Sequence, residues 1–236
     1  MIKGIYTAGR SLDHRVKHID VIANNLANLG TTGYKREVPF TEILNSMGGK
    51  SVNKVTSHLQ GNLLQTSNPL DVAISGDGFF VVKNKEGEKE LTRDGRLKLD
   101  EEGFLVNSNN QKVIGQNGEI SIQASLLEKD PVINITKNGE IRIGEQTIDS
   151  LLILKSDNPE YLSRAGGSNF LMNDEEFKSP EEGTYTISQG FLEESNSNPI
   201  LEMENMININ KEYETAQKVI SALDTSLGQA NDIGKV

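Results

Sequence analysis

The sequence predicts an α+β molecule: N- and C-terminal coiled-coil-type α-helices paired together, with a mainly-β central domain inserted between them. Three observations predict this. An apolar residue recurs every seven positions through the N-terminal stretch. The same repeat returns at the C-terminus. Between them, turn signals recur roughly every eight to twelve residues, the spacing of short antiparallel strands.

The N-terminal repeat is Ile5, Leu12, Ile19 and Leu26, with Gly9, Val16 and Ala23 falling between. Alternating steps of four and three give a seam of period 3.5, and hence a helix from about residue 5 to 29. Gly30 follows the last periodic residue and reads as a C-cap, and Thr31, Thr32 and Gly33 read as a turn. Three asparagines crowd the last turns of this helix: Asn24, Asn25 and Asn28. Asparagine is a mediocre helix former because its side chain competes for backbone hydrogen bonds. With the seam set as above, all three fall on its far side. There their amides are expected to satisfy backbone groups of an adjoining chain or of the segment that follows, and to fix register.

The C-terminal repeat is Met206, Tyr213, Ile220 and Leu227, interleaved with Ile209, Ala216, Leu223 and Ala230. It predicts a helix from about 199 to 232, with Pro199 in its first turn and Asn198 or Ser197 as its cap. Neither stripe can be buried alone, since each buried Leu or Ile contributes about 1.5–3 kcal/mol. The two helices are therefore expected to pair.

The middle of the chain has a period of two. Residues 71–106 read DVAISGDGFFVVKNKEGEKELTRDGRLKLDEEGFLV, in which KEGE separates FFVV from ELTR and DEEG separates LKL from FLV, as hairpin loops would. Similar pieces recur at 112–115, 132–144, 150–155 and 183–187. The expected organisation is a discontinuous helical assembly domain (1–36 with 198–236), an extended stem over 37–66 where periodicity is weak, and a β-rich domain over 67–197.

Composition narrows the function. The chain has 236 residues, a formal net charge of −10, 35% hydrophobic and 5% aromatic residues, and neither Cys nor Trp. The acidic balance argues against nucleic acid as a partner, and YKR at 34–36 is too short a basic run to change that. Without cysteine there is no disulfide or thiolate metal site. No run approaches the roughly 20 apolar residues of a membrane span, and the N-terminus lacks the apolar core of a signal peptide. His14 and His18 share a helix face, but no third ligand accompanies them, and they read as solvated. No G-x-S-x-G or phosphate-binding glycine loop is present. Arg93 and Arg96, flanking Asp94 in TRDGR, read as turn charges. Nothing supports a catalytic, cofactor or metal site, and the chain is expected not to be an enzyme.

Four stretches carry a resemblance. DVIANNLANLGTTGYKR (20–36), QGNLLQTSNPLDVAISGDGFFVV (60–82), LTRDGRLKLDEEGFLV (91–106) and QGFLEESNSNPILEMENMININKEYETAQKVISALD (189–224) resemble the motifs of the bacterial flagellar rod and hook proteins. That family more often has an aromatic where Leu91 and Leu97 stand, and residues 107–185 match it loosely. The resemblance implies a structural subunit of the basal-body rod, which self-assembles through its terminal helices into the axial tube that transmits torque and forms part of the export channel. It implies as partners copies of itself, other rod proteins and the flagellar export machinery. It also implies export without a cleaved signal peptide and no membrane insertion. The short connection from Arg36 to Gln60 and the ending ISALDTSLGQANDIGKV resemble the proximal-rod type, with the distal-rod type as the alternative. The residues expected at the assembly interface are Ile5, Leu12, Val16, Ile19, Ala23, Asn24, Asn25, Leu26 and Asn28 from the first helix. The last helix is expected to add Met206, Ile209, Tyr213, Ala216, Ile220, Leu223 and Leu227. The competing reading is a soluble β-domain that binds another protein and keeps a private terminal coiled coil.

Overall fold

The computed structural model describes residues 2–39, 54–122, 132–159, 162–172, 177–181 and 183–233. Two long helices, α1 (Ile2–Ala27) and α2 (Pro199–Ile233), flank a region built mainly of short strands. The α+β class and the helix–β–helix order are as the sequence predicts. The chain divides into two compact units. Unit 1 is Met1–Ala27, Glu37–Val55 and Ser197–Val236; unit 2 is Asn28–Arg36 with Thr56–Asn196.

In unit 1, α1 packs along α2. Asn198 caps α2, its Oδ1 accepting from the N–H groups of Ile200 at 3.0 Å and Leu201 at 3.4 Å. Along α2 the seam reads directly from exposure: Met206, Tyr213, Ala216, Ile220, Leu223 and Leu227 are half-buried and Ile209 is buried, while almost every neighbour between them is exposed. The seam of α1 differs from expectation. Leu12, Ile19 and Leu26 lie on the inner face, but their companions are Arg15 and Ile22, three residues on, and not Val16 and Ala23, four residues on. Val16 is 42% exposed and Ala23 is exposed, whereas Ile22 is 1% exposed. Positions three and four residues on are equally near on a helix, and the apolar pair Val21–Ile22 draws the face to the earlier one. Arg15 earns its inner place through Glu212 of α2, 3.5 Å from its Nε. The side chains of Ile5 and Ala230 lie outside the described residues.

The sequence expects a C-cap at Gly30. The helix ends instead at Ala27, and the left-handed residue is Gly33, with φ of 66°. Thr31 N–H bonds Asn28 O and Tyr34 N–H bonds Thr31 O, so the chain makes two successive turns before it extends. The expected stem, 37–66, contains three strands among its described residues: β1 (Glu37–Pro39), β2 (Lys54–Thr56) and β3 (Leu63–Gln65), the first two paired. Residues 40–53 of that stem lie outside the described residues.

Unit 2 is organised around β5 (Phe79–Lys83), which pairs with β6 (Lys89–Thr92), β9 (Lys112–Gly115) and β14 (Ile153–Ser156). Alternate residues of β5 enter two cores. Phe80 and Val82 join Val72, Ile74, Leu105, Ile120, Ile141 and Ile187, while Phe79 and Val81 join Leu91, Ile114, Leu154 and Phe170. Burial on both faces is why the run FFVV shows no polar alternation. The expected hairpin turns are closed by Asn84, which precedes KEGE, and by Asp100, the first residue of DEEG. Asn84 Oδ1 accepts from Glu86 and Glu88 N–H, and Asp100 Oδ1 accepts from Glu102 and Phe104 N–H. A separate three-stranded sheet, β11 (Ile133–Ile135), β12 (Glu140–Ile143) and β13 (Gln146–Ser150), closes the first core with Ile133, Ile135, Ile141 and Ile143. Across the unit, β18 (Tyr185–Gln189) pairs with β4 (Val72–Gly76), and β19 (Phe191–Glu193) pairs with β3.

Candidate functional site: an asparagine lock and a buried charge clasp

Two polar constellations stand out, one in each unit. In unit 1, Asn25 is fully buried, which corrects its expected place on the far side of α1. Its amide reads the backbone of the segment after the helix. Asn25 Oδ1 accepts from Glu37 N–H at 2.9 Å and its Nδ2 donates to Glu37 O at 2.8 Å. The same Nδ2 lies 3.3 Å from Oε1 of Glu202, itself buried in the first turn of α2. One side chain thus joins α1, β1 and α2. Asn28 is half-buried and is used in the turn that follows α1, accepting from the Thr31 hydroxyl at 3.1 Å. Asn24 is exposed. Asn25 thus serves the backbone of the segment that follows, and Asn28 serves a side chain of the turn after α1.

In unit 2, Glu193 is 1% exposed and anchors a cluster of charges. Its Oε1 accepts from Lys35 Nζ at 2.6 Å and from Gly61 N–H at 2.9 Å; its Oε2 accepts from Arg93 Nη1 at 3.1 Å. Lys35, also 1% exposed, donates further to Leu59 O at 2.9 Å. Arg93 donates to Gly76 O at 2.7 Å and to Ile74 O at 3.4 Å. Burial holds the Lys35 ammonium below its usual range, and the Glu193 carboxylate opposes that shift.

Backbone and amide contacts surround this ion set. Gly33 N–H bonds Glu193 O at 2.8 Å, Ser57 N–H bonds Arg36 O at 2.8 Å, and Arg36 N–H bonds Asn196 Oδ1 at 2.6 Å. Asn196 Nδ2 donates to Ser57 O and Leu59 O. The Arg164 guanidinium bonds Lys35 O and lies 4.6 Å over the Tyr34 ring. The strands approach so closely that a Cβ on Gly33 would meet Arg93 C at 2.4 Å, and one on Gly61 would meet Glu194 O at 2.0 Å.

Sequence reasoning missed this clasp. Arg93, read as a turn charge, is buried, and so is Lys35 of the run read only as a short basic patch. A period-two or period-3.5 search cannot flag a buried ion set, because its members belong to four separate segments. The available signal was that one charged member falls in each of three resembling stretches: Lys35, Arg93 and Glu193. Gly61, from the fourth, completes it.

Among the described residues no group of three or more His, Asp or Glu is placed to hold a metal, and no helix is long and apolar enough to cross a membrane. His14 is exposed and His18 half-buried on α1.

A family model described as flagella basal body rod protein matches residues 5–35. One described as flagellar hook protein FlgE/F/G D1 domain matches 73–143, and one described as flagellar basal body rod FlgEFG protein C-terminal matches 188–233. The flagellar basal-body rod protein FlgG of Buchnera aphidicola subsp. Baizongia pistaciae is 31% identical over 96% of this chain and 98% of its own length. The rod protein FlgF of Mesorhizobium japonicum is 30% identical over 91% of this chain and 90% of its own, and FlgF of Buchnera aphidicola subsp. Schizaphis graminum is 29% identical over 100% and 99%. Relatives of the two types match equally well. Full-length similarity at this level makes the chain a member of the FlgF/FlgG family of flagellar basal-body rod proteins, structural subunits of the rod.

Proposed function

We propose that this rod subunit assembles through its terminal helices, and that the half-buried seam of α2 is the observation that carries the reading. Met206, Tyr213, Ala216, Ile220, Leu223 and Leu227 are screened by one partner helix but remain partly open. Ile200, Met203, Ile207 and Val219 are more than half exposed on the same helix. A two-helix pair leaves this much apolar surface only where further helices complete it. Copies of the chain and other rod proteins supply them, through heterologous contacts that repeat along a tube without closing. Val16 and Ala23 face outward on α1 and are available to a neighbour, with Asn24 exposed beside them, while Asn25 and Asn28 hold the subunit's own fold.

In this reading the protein is not an enzyme, transmits torque as part of the axial tube, and reaches the rod through the flagellum's own export channel. The short connection from Arg36 to Gln60 supports the proximal member, FlgF, over the distal FlgG. The test is Leu223→Asp. A carboxylate in the seam must leave the interface or be desolvated unpaired, at a cost of several kcal/mol. The variant is expected to be produced at normal level with unit 2 folded, and to be missing from purified basal bodies. Normal incorporation would overturn the assembly role of this helix.

The pairing of α1 with α2 inside one chain favours the second reading, a β-domain binding module with a private coiled coil. Strong protection of both helices in a confirmed monomer would support that reading instead.

A further inference from the structure

His58 lies in the clasp segment between Ser57 and Leu59, whose carbonyls accept from Asn196 and Lys35, without sharing in the hydrogen bonds to Glu193. Its ring meets Phe79 edge-on, with centroids 5.7 Å apart and planes at 83°, and sits 5.1 Å from the Phe170 ring. Both ring nitrogens are shielded from water. A cation stands over each of these two flanking rings. The Arg93 guanidinium stands 5.2 Å over Phe79 and that of Arg164 stands 5.2 Å over Phe170. Lys35 and these two arginines all act on the imidazole electrostatically. The carboxylate of the set is Glu193, already bonded to Lys35 and Arg93. Three cations therefore accompany one carboxylate, and a fourth positive charge on the half-buried imidazole would have the Pro159 carbonyl as acceptor but no carboxylate of its own.

We propose that His58 is an acid-triggered release of the clasp: its protonation frees residues 33–36 and 57–61 from β19. These are the segments of unit 2 next to the points at which the chain passes to and from unit 1. Burial first, and then the charges of Lys35, Arg93 and Arg164, push the imidazole down to about 4 from an ordinary value of 6.5. A freed His58 therefore binds a proton that the closed clasp refuses. The closing tendency is intact above pH 6.5 and is lost as the pH falls through that window toward 4. With one proton linked to opening, the opening constant rises by up to about tenfold per pH unit within it.

The experiment is hydrogen exchange on the full chain between about pH 7 and pH 4.5, corrected for intrinsic exchange, with His58→Phe and His58→Gln alongside. In the natural chain, protection of 33–36 and 57–61 is expected to fall by up to about tenfold per pH unit while β5 and β6 hold. In both variants that slope is expected to drop to whatever the carboxylates contribute. Carboxylates that titrate in the same range are common to all three proteins, so an unchanged slope in either folded variant overturns the proposal. An NMR titration of the natural chain is the second measurement. A His58 pKa near its ordinary value overturns the proposal whether or not a variant folds.

Discussion

At Glu193 one carboxylate holds two buried cations and a backbone N–H. Replacing it by glutamine keeps the shape but leaves Lys35 and Arg93 uncompensated in a dry site. Glu193→Gln is expected to destabilise unit 2 by about 3–5 kcal/mol, measured by urea unfolding followed at the β-rich core. A change below about 1 kcal/mol would mean the charges are solvated. The asparagines separate in the same way. Asn25→Ala leaves both the N–H and the C=O of Glu37 without their amide partner and is expected to cost about 1–3 kcal/mol. Asn24→Ala, one residue away but exposed, is expected to stay within about 0.5 kcal/mol. Equal effects of the two would overturn the assignment of Asn25 as an internal lock. Little of this was legible beforehand. The clustering of asparagines marked the end of α1 as unusual, and the need to satisfy the following segment was inferable. Which asparagine turned inward depended on a one-residue choice between inner faces, made by Val21 and Ile22 and not by the heptad.

At the scale of elements, the helices and the strands owe their order to different things. The strands of unit 2 close two cores, with Phe80, Val81, Val82 and Leu91 at or near zero exposure. The 35 residues of α2 extend about 52 Å, and few of its described side chains are fully buried. Helices of this kind draw most of their stability from packing. In a monomeric preparation the amides of α1 and α2 are expected to exchange at least about a hundredfold faster than those of β5 and β6, and to slow on incorporation into the rod. Full protection in the monomer would show the pair to be self-sufficient. The heptads of α2 were readable because each seam residue stands among charged or amide neighbours. The hairpins were readable from KEGE and DEEG. The strands inside 37–66 were not, since three-residue strands carry too little pattern to rise above loop composition.

Across the whole molecule, the order of elements followed from the change of period, from 3.5 to 2 and back. The convergence of distant stretches did not, because nothing local in TRDGR, YKR or FLEE says that their charges face each other. The clasp also has a consequence in time. Lys35 and Glu193 are separated by 158 positions, Arg93 and Glu193 by 100. A chain that emerges N-terminus first, from a ribosome or from a narrow channel, presents Lys35, Gly61 and Arg93 long before their common acceptor exists outside. The hairpins of 79–107 can close locally, but closing so long a loop costs entropy that only its final contacts repay. Glu193 therefore acts as a completion signal. The entry and exit segments become fixed only after almost all of the chain has arrived, so a stalled or truncated subunit is left with its N-terminal connection loose.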